Sequence, residues 1–215
     1  MLEVRKYPKD EIAEILHTSN NQGIARKLDR LGVAFSYSGR GSNRVFDIKE
    51  IPAKSRFKVF CVIDLGMSTQ TDFTKFRNFV YYFMNDEDFR QLPNETLERR
   101  MAENGVPVSR QTIMHYKEKM AEANLIADGD YIYYFARGGQ QNIVNEEKYK
   151  AAWGEYWENK DKMGSREAMA WVCAKYGGYP RKQPKMVLNE LTRELWSELN
   201  DLACESVEQE LSSFG

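Results

Sequence analysis

The sequence predicts a mostly α chain with small β-hairpins, an α+β protein in which two helix–turn–helix units with hairpin wings precede a C-terminal helical region. Three observations predict it. Apolar residues recur at three- and four-residue steps through most of the chain, as in Ile113, Tyr116 and Met120. Short β-rich runs come in pairs about glycine tips, first AFSY and RVFDI around SGRGSN, then YIYYF and NIV around Gly138-Gly139. Gly32, Asn104-Gly105 and Gly177-Gly178 fall where helical patterns stop.

The elements follow in order. PKDEIAEIL reads as a helix because Pro8 suits a helix start and Ile12, Ile15 and Leu16 share a face. Ser19 with Gln22 three residues later has the capping-box form, Ile24, Leu28 and Leu31 make an apolar stripe, and Gly32 ends it. The hairpin 34–48 has Arg40 and Arg44 around its tip. FKVFCVIDLG then reads as a buried strand or connector. Residues 72–85 carry Phe73, Phe76, Phe79, Val80 and Phe83 toward a core, and Leu97 and Met101 mark a further helix. Ser109 caps the next helix, which ends near Leu125-Ile126, and a second hairpin with Arg137 at its tip follows. A helix from Asn145 bears the stripe Tyr149, Trp153, Tyr156 and Trp157, expected to be core, with a base-stacking platform as the alternative, since one helical face of aromatics is a natural burial surface. A helix over 165–176, a basic loop YPRKQPK and a last helix over about 184–211 complete the chain. The last aligns Leu188, Leu191, Leu195, Leu199 and Leu202 as internal packing or a dimer seam. The expected division is 1–60, 61–144 and 145–215.

Composition narrows the function. The 215 residues are 42% hydrophobic and 29% charged, in the range of a globular protein. No apolar run approaches the roughly 20 residues needed to span a bilayer, and MLEVRKYPKDE lacks a signal-peptide core, so a cytoplasmic location without membrane contact is expected. Cys61, Cys173 and Cys204 are widely separated and show no zinc or disulfide spacing. The net charge of −1 hides an asymmetry: residues 1–60 carry 12 Lys/Arg against 7 Asp/Glu, while 61–160 carry 12 against 16. A basic N-terminal third suits a phosphate-facing surface.

Chemistry-bearing patterns are sparse. His17 and His115 stand far apart, and neither a nucleophile elbow nor a dinucleotide fingerprint occurs. SGRGSNR lacks the GKS/T ending of a phosphate loop. A metal-dependent nuclease built from Asp64 and Glu158-Asn159-Lys160 is the best enzymatic sketch, and its parts are remote from each other. The expectation is therefore no enzyme, no cofactor and no metal.

Two helices instead carry polar residues suited to base edges. Arg pairs with guanine O6/N7 and Gln with adenine N6/N7, because donors and acceptors match bidentately. In the helix after Ser109, Arg110, Gln111, Thr112, His115 and Lys119 lie largely off the apolar face, with Lys117 or Lys119 as a phosphate contact. In the first unit Asn21, Gln22, Arg26 and Lys27 take the same parts, with Arg40, Arg44 and Arg137 on the wings. The plain alternative is that these are solvated faces of structural helices.

The order helix, helix, helix, hairpin over about 72–144, and a shorter version over about 5–50, resembles winged helix-turn-helix DNA-binding proteins. The run from Ser109 through Trp157 is similar to those of bacterial phages and conjugative elements. That resemblance implies a mostly α fold with small wings and sequence-specific binding of double-stranded DNA in transcriptional regulation of a mobile element. The leucine face separately adds the expectation of a homodimer through the C-terminal helix. The competing class is a defence inhibitor of anti-CRISPR type that docks a nuclease or its nucleic acid. A replication or partition accessory protein is the third.

Overall fold

Pro8 and Gly32 bracket the first pair of helices, and the reasons are local. In the computed structural model, which describes residues 2–138 and 140–212 (for 207–212 the backbone alone), strand β1 is Lys6–Pro8 and helix α1 is Lys9–Ile15. Helix α2 is Asn21–Leu31. Its cap is Asn20 rather than Ser19, since the Asn20 carboxamide oxygen accepts the Gly23 amide at 2.6 Å. Gly32 closes α2 in the left-handed region at φ 71°, and a Cβ there would lie 2.7 Å from Ser55 Oγ. Both strain and space therefore call for glycine.

Strands β2 (Ala34–Ser38) and β3 (Val45–Glu50) join β1 in an antiparallel sheet of order β1-β3-β2. Tyr7 and Tyr37 both pair with the central Phe46. The inward residues of this sheet meet Ile12, Leu16, Ile24, Leu28 and Leu31 in one apolar cluster.

The stretch expected as a strand or connector is helix α3, Ala53–Ile63. Its Val, Phe and Ile content reads as β-rich, but Phe57 and all of Val59, Phe60, Cys61 and Val62 are buried. The second half of the helix, residues 59–63, is apolar on every side and shows no amphipathic period, which is why the pattern hid it. Helices α4 (Phe73–Asn85), α5 (Glu87–Gln91), α6 (Asn94–Glu103) and α7 (Arg110–Glu122) follow. Their core is aromatic: Phe76 meets Tyr116 edge-on at 4.8 Å and Phe79 stacks on Phe83 at 5.1 Å. Such pairs add about 0.5–1.5 kcal/mol each beyond the area they bury.

Helix α10 (Arg193–Ser212) lies against α3 and α4. The expected last helix starts later than the leucine pattern suggests. Leu188 ends a strand and Leu191 is 94% exposed, while Leu199 and Ala203 are fully buried. Of the leucine face, Leu199 is thus engaged within the chain, while Leu188, Leu195 and Leu202 are half-buried. Buried Arg77 of α4 donates to the Ser206 carbonyl at 3.3 Å and to its hydroxyl at 3.2 Å.

The chain divides into two compact units, Met1–Ile126 with Leu188–Gly215, and Ala127–Val187. The second unit is built on β4 (Ile126–Arg137), β5 (Gln140–Val144), α8 (Glu146–Met163), α9 (Ser165–Tyr176) and β6 (Tyr179–Leu188). Its sheet order is β5-β4-β6. The YPRKQPK segment, expected as a loop, is therefore an edge strand. Pro180 and Pro184 are spaced four apart, so both missing amides fall on one side of β6, which the free edge tolerates. Phe135, Ala152 and Val172 form this unit's core with Val144, Tyr156 and Tyr176 against it. Overall, helix makes up about 59% and strand 20%, in small antiparallel sheets, so the fold is mixed α+β.

Candidate nucleic-acid interface

Helix α7 begins as the sequence indicates. Ser109 Oγ accepts the Thr112 amide at 3.2 Å and lies 2.9 Å from Thr112 Oγ1. This satisfies one of the open amides of the first turn and turns Thr112 toward the cap. Arg110 and Gln111 stand exposed in that turn, and Ile113, Tyr116 and Met120 anchor the opposite face in the core. Further along, His115 Nδ1 is 3.8 Å from Glu118, and Lys119 pairs with Glu122 at 2.6 Å. Past its first turn the outer face is charge-balanced rather than basic.

Lys117 turns inward. Its ammonium donates to Asn94 Oδ1 at 2.8 Å and sits 5.6 Å from the centre of the Phe83 ring. Burial disfavours the charge and lowers its pKa to about 8. It ties α7 to α6, while Lys119, the other expected phosphate contact, is half-buried beside Glu122.

On α2, Gln22 and Arg26 are exposed, and Asn21 is half-buried with its Oδ1 enclosed. Lys27 donates to the Leu16 carbonyl at 2.6 Å, so it fastens the end of α1. On the first hairpin Arg40 is fully outward, and the Arg44 guanidinium lies 4.6 Å over the Tyr37 ring. Arg137 is exposed and belongs to the second unit, whereas the other predicted positions all belong to the first.

The cations and aromatics of 153–182 were not among the expected site residues. Lys160 lies over Trp157, Arg181 over Tyr179 and Lys182 over Tyr131. The available signal was the repeated neighbourhood of Trp or Tyr with Lys or Arg in WENK and YPRK. Among the described residues, no group of three His, Cys, Asp or Glu side chains could hold a metal ion, and no helix is long and apolar enough to cross a membrane. No protein-family model, curated protein or solved structure matches the chain.

Proposed function

We propose that the chain is a sequence-specific double-stranded-DNA-binding protein acting in transcriptional regulation, with α7 and α2 as its reading helices. The observation that carries the reading is the capped, exposed first turn of α7, which presents Arg110 and Gln111 on a helix anchored by an aromatic core. A groove-bound helix brings first-turn side chains nearest the bases. The strand–helix–helix–strand–strand order of residues 6–50, with central β3, supports a winged-helix reading of the first part, and its excess of cations supports phosphate contact. The mobile-element setting rests only on the resemblance of 109–157.

Arg110→Ala tests it. On the DNA upstream of its own gene the variant should lose about 1–3 kcal/mol, and much less on random DNA, because only the matched complex loses a bidentate pair. An equal loss on both DNAs, with a folded variant, rejects base reading by α7. One observation favours the second reading, docking onto a defence nuclease. Glu118 and Glu122 take up His115 and Lys119 on the same face, leaving a surface of mixed charge that suits a protein partner.

A further inference from the structure

The helical stripe of α8 is only partly core. Tyr156 packs against the Phe135 cluster, but Trp157 is 57% exposed and, across the unit, Tyr179 at the start of β6 is 39% exposed. Trp153 lies between them. Its ring is 6.5 Å from Trp157, near-parallel at 30°, and 6.3 Å from Tyr179, edge-on at 88°. A cation stands at each end of this row: the Lys160 ammonium is 4.5 Å from the Trp157 ring centre, and the Arg181 guanidinium is 5.6 Å from that of Tyr179. The sequence of groups is cation, three aromatic rings, cation.

We propose that this row is a stacking platform for the unpaired bases of single-stranded nucleic acid. The inference stands apart from duplex reading by α7. Aromatic faces accept any base, and flanking cations hold the backbone phosphates. Charge fits a polyanion: residues 127–187 carry 10 Lys/Arg against 8 Asp/Glu, while the rest of the chain carries 21 against 24. Glu155, on the same helix, is already held by Lys175 at 2.7 and 2.8 Å. An exposed cation–ring contact is weak, so Lys160 and Arg181 can move from ring to phosphate as a base takes the ring face.

The test uses the full chain with labelled oligodeoxyuridylate and oligouridylate of about 20 nucleotides, which share a base and differ in the sugar, at low salt, read by anisotropy. Saturable binding of either strand supports the proposal, and the preference between them identifies the sugar. Tyr179→Ala and Trp157→Ala should each weaken binding by roughly 5- to 150-fold, the range for one lost stacked base. Tyr179→Phe, which keeps a ring, should retain it and shows that folding is not the cause. Lys160→Ala with Arg181→Ala should flatten the salt slope by about 0.7 per lost contact. Arg110→Ala should leave all of this unchanged, which separates failure here from failure of the duplex reading. No binding of either strand, equal binding of an abasic strand of the same length, or equal binding of polyglutamate would each overturn the platform.

Discussion

Lys117 is where burial and charge conflict most directly. An unfolded lysine keeps its proton to about pH 10.4, whereas this one releases it near pH 8 because burial disfavours the ammonium. Between those values the native state holds fewer protons than the unfolded chain, so stability from this group rises with pH. Its cost is complete below about pH 8 and disappears as the pH climbs toward 10.4, on the order of 3 kcal/mol in all. Cys61 works the other way: burial raises its thiol well above the ordinary range, so stability from it falls once the unfolded thiol ionises. Comparing Lys117→Met with the parent cancels the cysteine. Urea titrations at pH 7 and pH 9.5 should show the parent gaining on the variant as pH rises, and a constant difference refutes the assignment. Gly178 poses a steric case. A Cβ there would stand 2.7 Å from the Ala136 carbonyl oxygen and 2.9 Å from its carbon, both backbone atoms that cannot rotate away. Gly178→Ala should cost about 1–3 kcal/mol in a denaturant melt. Neither position was legible beforehand, because Lys117 reads as one more surface lysine and Gly178 as the tail of a helix stop.

Elements with an amphipathic period and polar ends were legible in detail. Helix α7 starts after Ser109, as its hydroxyl and the Ile113–Tyr116–Met120 face indicate, and α9 ends at Gly177 with φ 84°. Ser109→Ala should therefore destabilise the fold by about 1 kcal/mol. A thermal melt unchanged by that substitution would show the cap contributes nothing. The elements that escaped are those in which tertiary surroundings outweigh local pattern. Helix α3 loses its period because neighbours cover most of its sides, among them α2, α10 and the Phe76 ring of α4. Strand β6 carries two prolines, and it persists because its outer edge needs no donors. The candidate interface shows the same division. The exposed Arg110, Gln111 and Arg26 follow from helical spacing, while the inward turns of Lys27 and Lys117 depend on acceptors 11 and 23 residues away in sequence.

At the scale of the molecule, the use of the C-terminal leucines bears on assembly. Leu199 and Ala203 are already covered within the chain, with α10 against α3 and α4. Among the described residues a second copy would find no continuous leucine face, so light scattering at micromolar concentration should report a particle of 25.1 kDa. On the proposed reading, a monomer that used two different helices would have no reason to prefer a palindrome, since palindromic sites mirror protein two-fold symmetry. The charge distribution then decides which part supplies phosphate contact. Residues 1–60 carry 12 Lys/Arg against 7 Asp/Glu, and the outer face of α7 is partly neutralised by its own carboxylates. Duplex affinity should thus depend on salt chiefly through the first 60 residues. Arg26→Ala should weaken binding to cognate and random duplexes alike and reduce the slope of log affinity against log salt by about 0.9, one released counterion. Arg110→Ala should instead act chiefly on the cognate site. Lys27→Ala separates a structural lysine from a contact lysine: loss of its bond to the Leu16 carbonyl should lower the melting temperature while leaving the salt slope near that of the parent. A full counterion lost with Lys27, at unchanged stability, would place its ammonium on phosphate and remove it from the end of α1.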